Sequence, residues 1–171
     1  GAAFFIHCGD IGAERCIAVS PSDTATALVA LDASFVVASA KGERVVPADQ
    51  FFIGPAIDIR RMTRLEPGDI LTAIRLPKTF AGARFYFEKV ADRNTWDFAL
   101  VNIAAALLVA GDVIQDIRVV CGAVECVPRR LTGVEELARG SVRNAETANL
   151  AASVAARGAV PLNYNGFKIP L

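Results

Sequence analysis

The stretch FALVNIAAALLVAGDVIQDIRVVCGA, residues 98–123, decides the fold class. Its first half, Phe98 to Ala110, is rich in alanine and leucine, which favour helix. It runs directly into Gly111-Asp112 and a second segment, Val113 to Ala123, dominated by valine and isoleucine. A Gly-Asp pair between two apolar runs is turn chemistry, and β-branched residues suit a pleated surface. The spacing therefore predicts a long β-hairpin rather than a helix. Asn102 interrupts the first apolar run, which is also too short to span a bilayer.

Working outward, Ala83 to Val90 alternates in the period of a strand, with Phe85, Phe87 and Lys89 on one face and Tyr86, Glu88 and Val90 on the other. Downstream, two helices are predicted, from about Leu131 to Arg139 and from about Asn144 to Arg157, separated by Gly140 and ended by Gly158. The tail from Pro161 to Leu171 reads as irregular. Upstream, Ser22 or Asp23 is a plausible N-cap for a helix reaching about Ala33. A hairpin follows from Ser34 to Val46 with its tight turn at Lys41-Gly42. Pro47 starts a brief helical turn presenting Phe51 and Phe52, and a loop leads to a strand from Asp69 to Leu76. The turn-rich stretch Pro77 to Gly82 separates helix-then-sheet from sheet-then-helices, so the reading is α+β with domains at 1–79 and 80–171.

Of the 171 residues, 53% are hydrophobic and 21% charged, enough to bury a sizeable core. Eighteen basic residues balance eighteen acidic ones, which argues against a nucleic-acid surface and favours protein partners, as in a subunit of a complex. Cys8, Cys16, Cys121 and Cys126 are too scattered for a disulfide framework, so free thiols in a core are expected. There is no secretory start and no apolar run of membrane-spanning length, and a cytoplasmic location is expected.

Simple motifs exclude more than they find. His7 is the single histidine, so a Cys-His pair with Cys8 or a histidine metal site would rest on one residue. Cys121 and Cys126 lack a second pair at metal-ligand spacing. Gly-x-Gly-x-x-Gly, P-loop and Gly-x-Ser-x-Gly patterns are missing from the sequence. The candidates that remain are Ser22-Asp23 at a helix start, the strand from Asp69 to Ile74, and Lys89 in an otherwise aromatic strand. Ser22-Asp23 can be read as a plain helix cap and Lys89 as a solvated strand end. The alternative is chemical: a helix N-terminus supplies backbone N–H groups and a lysine a mobile cation, which suit a diphosphate, while an aspartate suits a sugar hydroxyl.

The order of these segments resembles a known family. Residues 12–23 (GAERCIAVSPSD), Ala27 to Ala33 and Val46 to Phe52 resemble the second flavin subdomain of the xanthine dehydrogenase and carbon monoxide dehydrogenase family of molybdenum hydroxylases. Leu65 to Ile74, Leu76-Pro77 and Phe87 to Arg93 look like the strands that close that subdomain and open the family's C-terminal domain. Gly122-Ala123-Val124 and Asn165 to Lys168 continue the likeness, which is strongest to flavin subunits of bacterial aldehyde and xanthine oxidoreductases.

The resemblance implies a partial second flavin subdomain followed by an α+β C-terminal domain, an antiparallel sheet packed by helices. It also implies an oxidoreductase subunit that passes electrons from iron–sulfur clusters through FAD to an external acceptor. The molybdopterin would lie on a large partner subunit and the iron–sulfur clusters on a small one. Asp23 would hydrogen-bond the FAD, Leu71 would offer a backbone contact and Lys89 would lie near the nucleotide portion. Ser22 at the same helix start would also be a cofactor-binding residue, and Cys16 falls where a relative has an apolar flavin-lining residue. No residue is expected to act as a general acid or base. The first flavin subdomain and its glycine-rich segment would precede Gly1, so weak FAD affinity and no activity are expected of the isolated chain. The alternative reading is an assembly module that docks on the molybdenum and iron–sulfur subunits without flavin.

Overall fold

The structure, a computed structural model, describes the backbone of Ile6–Cys8 and residues 18–171. In chain order the elements are β1 (Ile6–Cys8), α1 (Asp23–Ala30), β2 (Ser34–Ser39), β3 (Gly42–Pro47), α2 (Ala48–Phe51), β4 (Ile70–Arg75), β5 (Arg84–Val90), β6 (Val101–Ala110), β7 (Val113–Gly122), β8 (Arg129–Arg130), α3 (Thr132–Ala138), α4 (Ala145–Ala155) and β9 (Ala159–Pro161). The α+β class expected from the sequence is what forms, with antiparallel sheets packed by helices.

Residues 98–123 resolve as the hairpin β6–β7, paired from Asn102↔Gly122 to Ala110↔Val113, with a register shift between Leu108 and Val109. Gly111 makes the turn at φ 58°, a left-handed value that costs glycine nothing. Alanine's helix propensity loses because Ala104 and Ala106 on β6 and Val120 on β7 share one covered sheet face. The strand begins at Val101 rather than Phe98, and Phe98 stays exposed. With β5 and β8 on its flanks, the hairpin completes a sheet in the order β5-β6-β7-β8.

A second sheet has the order β3-β2-β4. Its inner strand β2 buries Phe35, Val36 and Val37, whereas β4 is exposed along its whole length. The β2–β3 turn falls at Ala40-Lys41, one residue earlier than expected, because Ser39 pairs with Gly42. Helix α1 ends at Ala30 rather than near Ala33: Asp32 takes a left-handed φ of 50°, and the Ala33 N–H closes back on the Leu28 carbonyl at 3.0 Å. Apart from a 3-10 turn at Gly166–Lys168 the tail is irregular, as expected, and β9, which ends at its first residue, is the addition. Strand β9 pairs with β1 from Ile6↔Pro161 to Cys8↔Ala159, a partnership between chain ends that no local pattern announces.

The two sheets share one core. Val29, Ala30 and Ala33 from the α1 region pack with Phe35, Val37 and Phe51 on one side and with Ala104 and Val120 of the β6–β7 hairpin on the other. Phe35 stacks on Phe51 at 4.1 Å between centroids, and Phe52 meets both rings edge-on. Such aromatic pairs add about 0.5–1.5 kcal/mol each beyond area burial. Helix α1 is thus clamped between an aromatic cluster and the long hairpin. On the far side of the hairpin, Glu135 of α3 accepts the Val119 N–H at 3.1 Å and a forked bond from Arg130, which ties the C-terminal helices to the sheet.

One turn of the fold is held by charge. Arg44 of β3 grips the Asp69 carboxylate with both terminal nitrogens, and the Glu66 N–H donates to the same carboxylate at 2.7 Å. The Arg44 hydrogen bonds, helped by that backbone N–H, hold the Asp69 carboxyl down at about 2. An unfolded aspartate titrates near 3.9, so the contribution is complete above about pH 4 and is lost as pH falls towards the folded value. The thermal midpoint, followed by circular dichroism, is expected to drop between about pH 4 and pH 2, and Asp69→Asn should flatten that part of the profile. An unchanged profile in the variant would remove Asp69 from the acid sensitivity.

Candidate functional site

The densest polar chemistry lies where the start of α1 meets the sheet β5–β6–β7. Ser22 is extended, at φ −85° and ψ 112°, and its Oγ accepts the Ala25 N–H at 3.1 Å, so Ser22 is the helix cap. That releases Asp23, the first helical residue, from capping. Its Oδ2 accepts from Lys89 Nζ at 2.7 Å and its Oδ1 from Asn102 Nδ2 at 2.7 Å. Lys89 Nζ makes a second bond, to the Asp97 carbonyl, at 2.6 Å. Behind Asp23, the Thr26 hydroxyl donates to Asn102 Oδ1 at 3.0 Å.

Two periodicities build this cluster. Asp23 and Thr26 are three residues apart on α1 and share one helix face. Lys89, Asn102 and Gly122 are cross-strand partners, a single row running from β5 through β6 to β7. The row places a cation, an amide and a residue without a side chain directly beneath that face. A Cβ at Gly122 would lie 2.1 Å from Asn102 Oδ1 and 2.2 Å from Thr26 Oγ1, so the close approach of α1 to the sheet depends on glycine. Thr26 and Asn102 are sealed from solvent, whereas the Asp23 and Lys89 side chains remain partly open. A cleft of about 630 Å³ opens beside Lys89, bounded also by Arg93, Asn94, Trp96 and Asp97.

The sequence-predicted residues divide in three. Ser22, Asp23 and Lys89 come together, with Ser22 in the capping role and Lys89 an anchored cation rather than a solvated strand end. Leu71 lies in the other sheet, opposite Val37 on the exposed edge strand β4, and takes no part in the cluster. Cys16 lies outside the described residues, as do the side chains of His7 and Cys8. Thr26, Asn102 and Gly122 were missed by motif reasoning. Asn102 carried a signal, an amide inside an apolar strand, whereas nothing local marks Thr26 or Gly122.

The thiols do less. Cys121 and Cys126 are only half-buried rather than core residues, because the end of β7 and its following turn lie at the margin of the sheet. Cys121 lines a cavity of about 180 Å³ together with Val101, Asn102, Val124 and Lys168. Burial pushes its thiol up to about 11, which leaves it protonated and unreactive at neutral pH. Burial also lowers the Lys168 ammonium, whose Nζ donates to the Ala123 carbonyl at 2.9 Å. Among the described residues no group of three or more His, Cys, Asp or Glu is placed to hold a metal ion, and no helix is long and apolar enough to cross a membrane.

Fold and site together define a class: an α+β protein whose polar cluster sits at the joint between two antiparallel sheets. Comparison with known proteins makes this specific. Residues 7–79 match the FAD binding domain in molybdopterin dehydrogenase, and residues 86–166 match the CO dehydrogenase flavoprotein C-terminal domain. The chain is 31% identical over 159 residues to the glyceraldehyde dehydrogenase medium chain of Sulfolobus acidocaldarius, covering 92% of this chain and 54% of that protein. It is 34% identical over 130 residues to the aldehyde oxidoreductase FAD-binding subunit PaoB of Escherichia coli, covering 75% of this chain and 39% of that one. Among solved structures, quinoline 2-oxidoreductase from Pseudomonas putida 86 superposes with a TM-score of 0.76 at 28% identity, over 90% of this chain and 53% of that one. Carbon monoxide dehydrogenase from Hydrogenophaga pseudoflava gives 0.73 at 27% identity, over 86% and 54% of the two chains. The chain belongs to the FAD-binding medium-subunit family of the molybdenum hydroxylases. It spans about half the length of the relatives it matches.

Proposed function

We propose that this chain is the C-terminal half of an FAD-binding electron-transfer subunit of an aldehyde- or xanthine-type oxidoreductase. The boundary between its flavin and C-terminal domains would fall at 79/80. The observation that carries this reading is the Asp23–Lys89 pair at the start of α1, on the seam between the two matched domains. When bound, FAD supplies the redox chemistry, and the protein's part is to hold and orient it.

The donor set suits that cofactor. Each Asp23 oxygen, though already bonded once, keeps a lone pair for a ribityl or ribose hydroxyl. Lys89 Nζ has two acceptors and therefore one N–H left for the nucleotide portion, on the side of the cleft. Ser22 holds the helix start in register for both. Leu71 would meet the cofactor from β4 through its backbone and Cys16 would line it, both as the other half of the cleft.

Partners follow from the same reading: a molybdopterin-binding large subunit and an iron–sulfur small subunit. The exposed side chains of Ile70, Ile74 and Leu76 on and beside β4, and of Phe85 and Phe87 on β5, offer apolar surface for such contacts. A cytoplasmic compartment accords with the free Cys121 thiol. The test is to produce the complete subunit with those partners. One FAD per subunit is expected, and anaerobic addition of an aldehyde substrate should bleach the flavin absorbance. A flavin-free complex that still assembles would replace this reading with that of an assembly module.

A further inference from the structure

We propose that Asn102 is a positioning residue for the flavin site: its amide, wedged between Thr26 and Gly122, holds the Asp23 carboxylate in the orientation that receives a cofactor hydroxyl. This rests on the assignment of Asp23 to FAD and adds the device that makes Asp23 competent. Asn102 lies in an inner strand of the C-terminal domain's sheet, whereas Asp23 belongs to the flavin domain, so the amide is also the link by which one domain sets the geometry of the other.

The chemistry of the position selects an amide. One neighbour, Asp23 Oδ1, can only accept, and the other, Thr26 Oγ1, donates. The side chain between them must donate on one side and accept on the other, which Asn does and Leu, Asp⁻ or Lys does not. The same pair of neighbours settles which end is which, because the reverse orientation would set the amide oxygen against a carboxylate. Asn102 is 2% exposed, so water cannot take over either bond. Gly122 leaves room for the amide in this orientation, since any Cβ there would occupy the space of its oxygen. Held by Asn102 on Oδ1 and by Lys89 on Oδ2, the carboxylate is anchored through both oxygens while its side chain stays partly open to a ligand.

The test measures FAD dissociation constants in the complete subunit by quenching of flavin fluorescence, for Asn102→Leu, Asn102→Asp and Asp23→Ala, and for each Asn102 variant combined with Asp23→Ala. Asn102→Leu is expected to weaken FAD about tenfold, the loss of one charge-assisted hydrogen bond. In the Asp23→Ala background it should add almost nothing, because it acts through Asp23. An equal loss in both backgrounds would show a merely structural amide and overturn the proposal. Asn102→Asp supplies a signature that packing cannot. Beside Asp23 and away from water, the introduced carboxyl is pushed up, with Lys89 the nearest opposing cation and Glu88, Arg129 and Lys168 lining the cavity on its other side. Ionised at about pH 8 it repels Asp23, whereas protonated near pH 5.5 it donates as the amide did. FAD affinity in this variant should recover on acidification while the unsubstituted subunit stays flat. A pH-independent Asn102→Asp also overturns the proposal, and it does so with folded protein if Asn102→Leu does not fold. Were Asp23→Ala itself to leave FAD affinity unchanged, the assignment of Asp23 would fall and this proposal with it. A loss with Asp23→Ala but none with Asn102→Leu would sink the proposal alone.

Discussion

Asp23→Ala in the complete subunit is expected to weaken FAD by about 10- to 100-fold, the range for losing a hydrogen bond to a charged group, worth about 1.5–3 kcal/mol. The structure separates two roles that the sequence left joined. Ser22 caps α1, so removing the Asp23 carboxylate leaves the cap intact and the effect falls on the ligand side. Lys89 and Asn102 each lose a partner, but Lys89 keeps the Asp97 carbonyl and part of its exposure to water. Asp23→Asn keeps one accepting oxygen but turns its NH2 against Lys89 or Asn102, both donors, so it loses one anchoring bond together with the charge and should weaken FAD as well. Equilibrium titration of the flavin checks both. Wild-type affinity in Asp23→Ala would remove Asp23 from the site.

Gly122→Ala is expected to produce the largest loss of stability of any Gly→Ala substitution among the described residues. The new methyl would sit 2.1 Å from Asn102 Oδ1 and 2.2 Å from Thr26 Oγ1. Neither neighbour is the loose end of a flexible surface side chain, since Thr26 is 0% and Asn102 2% exposed. Relief therefore requires α1 to lift from the sheet or the Thr26–Asn102 bond to break. Overpacking costs roughly 1–3 kcal/mol and an orphaned buried hydrogen-bonding group about as much again. A loss of about 3 kcal/mol or more, seen as a lower urea midpoint at unchanged slope, is the expected outcome. A loss below about 0.5 kcal/mol would mean that α1 does not approach the sheet this closely.

Much of the fold is legible locally. The Gly111-Asp112 turn between apolar runs announces β6–β7 against the helix propensity of its alanines, and Ser22 announces the start of α1 by its capping chemistry. Pairings between distant segments are not legible in this way. Strand β9 is not announced in the sequence because three residues carry no periodicity of their own, and only its partner β1 makes it a strand. The early end of α1 was hidden for a similar reason: Asp32 enters the left-handed region because the chain must turn to deliver Ala33 and Phe35 to the shared core.

The site shows the same division. By itself the sequence determined the kinds of chemistry available to the cluster: an aspartate at a helix start, a lysine in an aromatic strand and an amide inside an apolar one. Residue type and local spacing are properties of the chain alone, and they carried the family likeness as well. Only the tertiary structure decided which of these act together. It stacked Lys89, Asn102 and Gly122 across three strands, set Asp23 and Thr26 of α1 above them, and left Leu71 on a separate edge. Cross-strand register and helix-to-sheet distance are set by burial of the common core, a long-range balance that no window of sequence contains.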